Sequence, residues 1–303
     1  VSMVEEIGKV KLNYEFYRGT DAYSDGEIEN DLLNLVKEEE DVDRILQKDN
    51  RWPVLYHLSP VRQNILEWYP FTKKDSVLEV GAGCGAISGV LSRLTGKVTC
   101  IELSKRRSMI NAYRNRNCEN LEIMVGNFND IKLEEKFDYI TLIGVLEYAG
   151  YYTDAEEPFT AFLQNLKQML KPGGRILIAI ENKFGLKYWA GAREDHTGQL
   201  FDGIEGYHKT ESCVRTFSKK EITSIIHQAG FKKTDFYYPF PDYKFPVQIF
   251  SDDYLPKAEE LACGKDSFDN TRWILFDETA VSQQLAKDGS FEFFANSFMI
   301  EAE

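Results

Sequence analysis

Residues 77–85 read Val77-Leu78-Glu79-Val80-Gly81-Ala82-Gly83-Cys84-Gly85, and this stretch decides the fold. Val77, Leu78 and Val80 belong to an apolar run of strand length, and glycines at 81, 83 and 85 follow it directly. A strand that ends in such a loop can turn sharply, and the missing side chains leave its backbone open to a ligand. Glu102 falls twenty-one residues after Gly81, at the end of the next apolar run. A carboxylate there can accept hydrogen bonds from both hydroxyls of a ribose, so loop and acid together specify an adenosine-type cofactor.

Outward from the loop, short apolar runs alternate with helical patterns. Strands are expected at 76–80, 97–101, 121–125, 137–143 and 174–180, with helices near 85–94, 104–117 and 158–170. That alternation predicts a parallel sheet covered on both faces. A helix at 218–229, a strand at 231–238 and a closing strand at 294–302 follow. The first seventy residues read as helical, with amphipathic stretches at 28–40 and 52–69, the second reset at Pro53 and Pro60. The expected division is a helical cap over 1–70 and an α/β domain over 71–303, with inserts at about 182–216 and 239–290.

Gly81-x-Gly83-x-x-Ala86 also satisfies the dinucleotide fingerprint, which keeps an NAD-linked enzyme open. Three features favour S-adenosylmethionine instead. Glu79 stands two residues before the first glycine, and the glycines run G-x-G-x-G. Asn127-Phe128 follows the third strand, where a polar and an apolar side chain can bracket an adenine. Leu170-Lys171-Pro172-Gly173-Gly174 reads as a helix stop and a turn into the fifth strand.

In this order, over about residues 75–238, these elements resemble the class I S-adenosylmethionine-dependent methyltransferases. The resemblance implies a Rossmann-like, doubly wound sheet of seven strands, the last antiparallel, for which 294–302 is the candidate. It implies cofactor contacts at Glu79, Gly81, Gly83, Gly85, Glu102, Asn127, Phe128 and Gly144, the last in the loop beyond the fourth strand. Asn127 stands where the family usually has Asp, and Tyr148 where many members have His.

Composition narrows the setting. Asp and Glu number 49 against 36 Lys and Arg, a net charge of −13, the wrong sign for a protein that grips nucleic acid through its phosphates. The densest basic cluster, Lys105-Arg106-Arg107 with Arg114 and Arg116, has helical spacing and is expected to form a solvated helix face. No run approaches the roughly 18 apolar residues of a spanning helix, so no membrane insertion is expected. Five scattered cysteines (Cys84, Cys100, Cys118, Cys213, Cys263) contain no C-x-x-C pair, which points to a reducing, cytoplasmic setting. With only four histidines, no metal site is expected.

Acceptor specificity should reside in three flanks, 14–26, 56–64 and 181–215. The third mixes glycines, aromatics, carboxylates and two histidines, which suits a polar ligand such as a sugar. With 237–244 and the C-terminal residues, these flanks look similar to methyltransferase modules of bacterial surface-polysaccharide assembly, often parts of longer chains. The implied reaction is O-methylation of a sugar or glycan precursor. N-methylation of an amino sugar or small metabolite, and a non-catalytic cofactor-binding scaffold, are the alternatives. His196, beside Asp195, and His208, three residues after Glu205, are the candidate bases. A histidine base predicts activity falling below about pH 6.5.

Overall fold

A computed structural model describes every residue except 1, 2, 22, 23, 25, 40, 211 and 262–271. Cys263 and part of the expected 239–290 insert lie outside the described residues. The other four cysteines are free thiols, Cys84 and Cys100 buried and Cys213 exposed. No helix among the described residues is long and apolar enough to cross a membrane. The chain divides into two units, Val1–Leu142 with Met169–Gly174, and Ile143–Gln168 with Arg175–Glu303.

The first unit is built on strands β1 (Val4–Ile7), β2 (Val10–Asn13), β3 (Ser76–Val80), β4 (Lys97–Glu102), β5 (Leu121–Val125) and β6 (Phe137–Ile143), in the order β1-β2-β5-β4-β3-β6. From β2 to β6 every neighbour is parallel. Four of the five residues of β3 are buried, as expected where helices cover both faces. β3 pairs with β4 on one side and β6 on the other. Strand order therefore reverses at β3, and the crevice beyond its carboxyl end is the ligand position of open α/β sheets. The glycine loop occupies that position.

The helical cap needs correcting at its start. Residues 4–13 form a hairpin, Ile7 pairing with Val10 across Gly8 and Lys9. Gly8 has a φ of 61°, and a Cβ there would lie 2.2 Å from the Arg116 carbonyl, so the turn requires glycine. β2 then extends the sheet, Leu12 aligning with Ile123 of β5. Helices Ile28–Glu38, Val42–Lys48 and Trp52–Leu58 follow.

The basic face of helix Lys105–Arg114 is not solvated. Arg107 donates to buried Glu29 of helix Ile28–Glu38 at 2.7 Å, and Arg114 donates to the carbonyls of His57 and Leu58. Arg116, just beyond the helix, donates to the carbonyl of Val36. Guanidinium groups on buried backbone carbonyls and a carboxylate join the N-terminal helices to the sheet.

The second unit carries β7 (Leu170–Glu181) from Arg175 onward, with β8 (Thr234–Phe240), β9 (Gln248–Ser251) and β10 (Ser297–Ala302), in the order β7-β10-β8-β9. The closing strand β10 is antiparallel to both β7 and β8, and all six of its residues are buried. Phe236 and Tyr238 of β8 pack edge-on against Phe298 of β10. Helix Lys219–Gln228 starts at a capping box in which Ser218 and Glu221 satisfy each other's backbone amides. The described residues thus form ten strands where seven were expected. The additions are β1, β2 and β9, each four residues long. β7 also starts early, at Leu170, and passes through Gly173 at a φ of 75°.

Gly85 ties the glycine loop to helix Lys105–Arg114. Its φ is 77°, and an added Cβ would meet Asn111 Oδ1 at 2.3 Å. Asn111 cannot yield, because it donates to Ser88 and accepts from Asn115, both at 2.8 Å. Gly85→Ala should therefore cost at least the ~1–3 kcal/mol of left-handed strain, read as a lower midpoint in urea unfolding. A midpoint within error of wild type would refute this packing role.

Candidate active site

In the first unit the glycine loop is held from below by Glu102. This carboxylate, at the end of β4, accepts from the Gly83 amide at 2.7 Å and the Ser104 amide at 2.9 Å. It is 6% exposed. Burial raises its pKa, while the charge of Arg107 and the two amides oppose that rise. Each carboxylate oxygen has a second lone pair, so ribose hydroxyls can be accepted without releasing the loop. Above it, a Cβ on Gly83 would meet nothing within 4 Å, so the loop faces open space. Loop, acid and open space fit an adenosine-bearing cofactor. Gly81 begins the turn at a φ of 71°, its amide bonded to the Ile101 carbonyl at 2.8 Å.

Glu79 points elsewhere. Its carboxyl accepts from Ser88 at 2.6 Å and from Cys100 at 3.1 Å, all three groups buried. Burial pushes its pKa up to about 7 against the hydrogen bonds that lower it. Asn127 uses its side-chain carbonyl locally, accepting from the Asn129 amide at 3.0 Å, and Phe128 opens the short turn Phe128–Asp130. Beside them, a Cβ on Gly126 would meet the Phe16 carbonyl at 2.7 Å. Part of the 14–26 flank, residues 14–21, covers the carboxyl ends of β4 and β5, the strand ends it was expected to reach. Asp21 accepts from Ser104 Oγ at 3.0 Å and from the Lys105 amide at 2.8 Å.

The second unit contains a buried charge cluster at the carboxyl end of β7 and in the segment after β6. Glu181, the last residue of β7, and Glu147 are each 1% exposed. His196 lies 3.6 Å from Glu147 through Nε2 and 3.1 Å from Glu194 through Nδ1. Burial alone would lower the imidazole pKa, but Glu147 and Glu194 outweigh it and push it up to about 11. Glu194 also accepts from the His196 and Thr197 amides, both at 2.7 Å, and from the Tyr207 hydroxyl at 3.1 Å. Tyr207 holds a left-handed φ of 62° to reach it. Tyr148 packs edge-on against the His196 ring at 5.3 Å. Asp195, expected to orient His196, instead joins Lys187 at 2.9 Å, Lys244 and the Tyr188 hydroxyl. Lys244 reaches Glu181 at 3.1 Å.

His208 stands apart from this cluster, exposed, with Nδ1 2.7 Å from the Glu205 backbone carbonyl rather than its carboxylate. Gly144, also in the second unit, has a φ of 70°, and a Cβ there would lie 2.8 Å from the Tyr243 hydroxyl. Glu147, Glu181, Glu194, Lys187 and Lys244 were not singled out from sequence. Glu147 had a usable signal, being the one acid directly after the fourth strand, next to Tyr148.

Residues 78–176 match the family model described as "Methyltransferase domain". Over this third of the chain, the sequence is similar to methyltransferase domains. The ubiquinone biosynthesis O-methyltransferase of Xanthomonas oryzae pv. oryzae is 26% identical over 155 residues, covering 47% of this chain and 61% of the relative. The mitochondrial ubiquinone biosynthesis O-methyltransferase of Dictyostelium discoideum is 29% identical over 126 residues, covering 37% of each chain. The chain thus spans about three-fifths or less of these relatives. A solved structure from Thermotoga maritima, described as a possible histamine N-methyltransferase, aligns with a TM-score of 0.47 at 15% identity, over 89% of this chain and 98% of that one.

Two outcomes follow for the glycine-loop site. Glu102→Ala removes a charged acceptor worth about 1.5–3 kcal/mol per bond, so titration calorimetry should show S-adenosylhomocysteine affinity at least tenfold weaker in a folded variant. Unchanged affinity would remove Glu102 from the site. Glu79, whose folded pKa of about 7 exceeds its ordinary 4.5, keeps a proton in the folded state that the unfolded chain releases. Its contribution is complete below about pH 4.5 and lost as pH rises through about 7, amounting to about 3 kcal/mol. Urea unfolding across this window should show the loss in wild type, and Glu79→Gln should abolish it. An identical pH slope in both proteins would refute the assignment.

Proposed function

We propose that this chain transfers the methyl group of S-adenosylmethionine to an oxygen of a small, hydroxyl-rich acceptor, most simply a sugar or glycan precursor. In this proposal the first unit binds the cofactor through Gly81, Gly83 and Glu102, and the second unit binds the acceptor at Glu147, Glu181 and His196. One observation carries the acceptor assignment. Glu147 Oε2 and Glu181 Oε2 are buried with no hydrogen-bond partner. An orphaned buried acceptor costs about 1–3 kcal/mol, and ligand hydroxyls would repay it. Both residues also stand at or just beyond the carboxyl ends of strands, where ligands of open α/β sheets bind.

S-adenosylmethionine, when bound, supplies a methyl group already activated by its sulfonium. The chain's own task is to position the acceptor and draw off its proton. Glu147 is suited to this, because burial pushes its pKa upward and makes it a better proton acceptor. His196, pushed up to about 11, enters as a fixed cation that offsets part of the acidic charge, and His208 takes no part.

The relatives named above are called O-methyltransferases, which supports oxygen over nitrogen. A surplus of carboxylates in the cluster favours a second reading, an amino sugar or amine held as its ammonium form. The proposed setting is surface-polysaccharide assembly in the cytoplasm, within a longer chain.

Calorimetry with S-adenosylhomocysteine and NAD, then methyl transfer to a panel of neutral and amino sugars, tests the reading. S-adenosylhomocysteine should bind and NAD should not, with label appearing on a hydroxyl. Binding without transfer to any acceptor would leave the scaffold alternative. Glu147→Gln should lower kcat about 10²–10⁴-fold while cofactor affinity holds. The wild-type rate should show no inflection near pH 6.5, because His196 stays charged through that range; an inflection there would restore the histidine base.

A further inference from the structure

Glu147, Glu181 and His196 each offer one ligand atom, and these atoms lie within 4.8 Å of one another. A divalent cation bound about 2.0–2.2 Å from each would hold such atoms about 3–4 Å apart, so binding would draw the three atoms closer together. Two further observations point to an ion, beyond the proximity of three residues.

The first is the pair of orphaned oxygens. Glu147 Oε2 and Glu181 Oε2 lack partners although both side chains are 1% exposed. Lys244 reaches Oε1 of Glu181 at 3.1 Å, and the other oxygen has no hydrogen-bond partner.

The second is the way the imidazole is backed. His196 Nδ1 lies 3.1 Å from Glu194 Oε1, so Nδ1 can donate its proton to that carboxylate, while a bound ion would displace the Nε2 proton and take over the positive charge that the metal-free imidazole carries. Metal-ligating histidines are almost always oriented by such a carboxylate, which fixes the tautomer and the ring plane. Glu194 is in turn fixed by two backbone amides and the Tyr207 hydroxyl. The imidazole is thus anchored from behind by groups that have no role in acceptor binding.

We propose that Glu147, Glu181 and His196 form a site for one divalent transition-metal cation. Two carboxylates and one imidazole suit Mn²⁺, Fe²⁺ or Zn²⁺ better than Ca²⁺, which prefers an all-oxygen shell. The site reverses the sequence expectation of no metal. It deepens the acceptor-site reading and rests on it for purpose only: the ion's open positions would hold acceptor hydroxyl oxygens.

The test measures binding without any acceptor. Chelator-treated protein is titrated with Mn²⁺, free ion being read by electron paramagnetic resonance, and Zn²⁺ is added as competitor. One Mn²⁺ per chain is expected. Glu147→Gln and Glu181→Gln should each weaken it more than about 100-fold, and Glu194→Gln about 10–100-fold. Unchanged circular dichroism and S-adenosylhomocysteine affinity would show that each variant is folded. Absence of one-site binding below about 1 mM, or equal binding by wild type and these variants, would overturn the proposal. Full methyl transfer by metal-stripped enzyme would also overturn it, while leaving the acceptor reading in place.

Discussion

The carboxylate of Glu102 accepts two backbone amides from opposite directions, Gly83 at 2.7 Å and Ser104 at 2.9 Å. One side fixes the glycine loop, and the other fixes the start of helix Lys105–Arg114. An unpaired carboxylate at this depth would be costly; paired, it becomes the joint between two βα turns. The loop's open face depends on it, since Gly83 has no side chain to hold its position. Gly85 then locks the same loop against Asn111, so one glycine is spent on access and another on packing.

The second unit solves a different electrostatic problem. Glu147, Glu181, Glu194, Asp195 and Asp242 gather around Lys187, Lys244 and His196. Burying so many charges is tolerable only if each finds a partner. Asp195 does, and with both lysines beside it its pKa falls well below the ordinary value despite burial. Glu194 does, through His196 and two amides. Glu147 and Glu181 do so on one oxygen each. The residual acidity is concentrated on two oxygens at strand ends, which makes this a place prepared for something positive or hydrogen-bond donating.

How much of this was legible in the sequence follows from the range of the interactions. The bounds expected for β3, β5 and β6 match the structure to the residue, because each is a short, mostly apolar run set off by polar residues and turns on either side. The position of Glu102 at the end of β4 was legible because its distance from the glycines is set by one helix and one strand. The hairpin Val4–Asn13 was not, because β2 is stabilised by pairing with β5 more than a hundred residues away, and four-residue strands carry little local signal. The basic helix was misjudged for a related reason: its partners, Glu29 and the carbonyls of Val36, His57 and Leu58, come from other elements. In the acid cluster, neighbours in sequence misled. His196 turns to Glu194 rather than Asp195, because the loop places alternate side chains on one side while Asp195 faces the lysines.

The 14–21 stretch shows how these long-range ties reach the cofactor side of the fold. Asp21 accepts from Ser104 Oγ and from the Lys105 and Arg106 amides, which places its charge at the positive end of helix Lys105–Arg114. Burial would raise its pKa, but those hydrogen bonds outweigh it and keep it lowered. Ser104 therefore serves two acids at once, its amide bonded to Glu102 and its hydroxyl to Asp21. Further along, the Phe16 carbonyl fits against Gly126 only because that residue has no side chain, and Arg18 pairs with Asp130 at 2.6 Å. Displacing the stretch would leave the Lys105 and Arg106 amides without their carboxylate acceptor, beside Glu102. Its position and the geometry of Glu102 are thus coupled through a single serine, which ties the N-terminal segment to the glycine-loop end of the first unit.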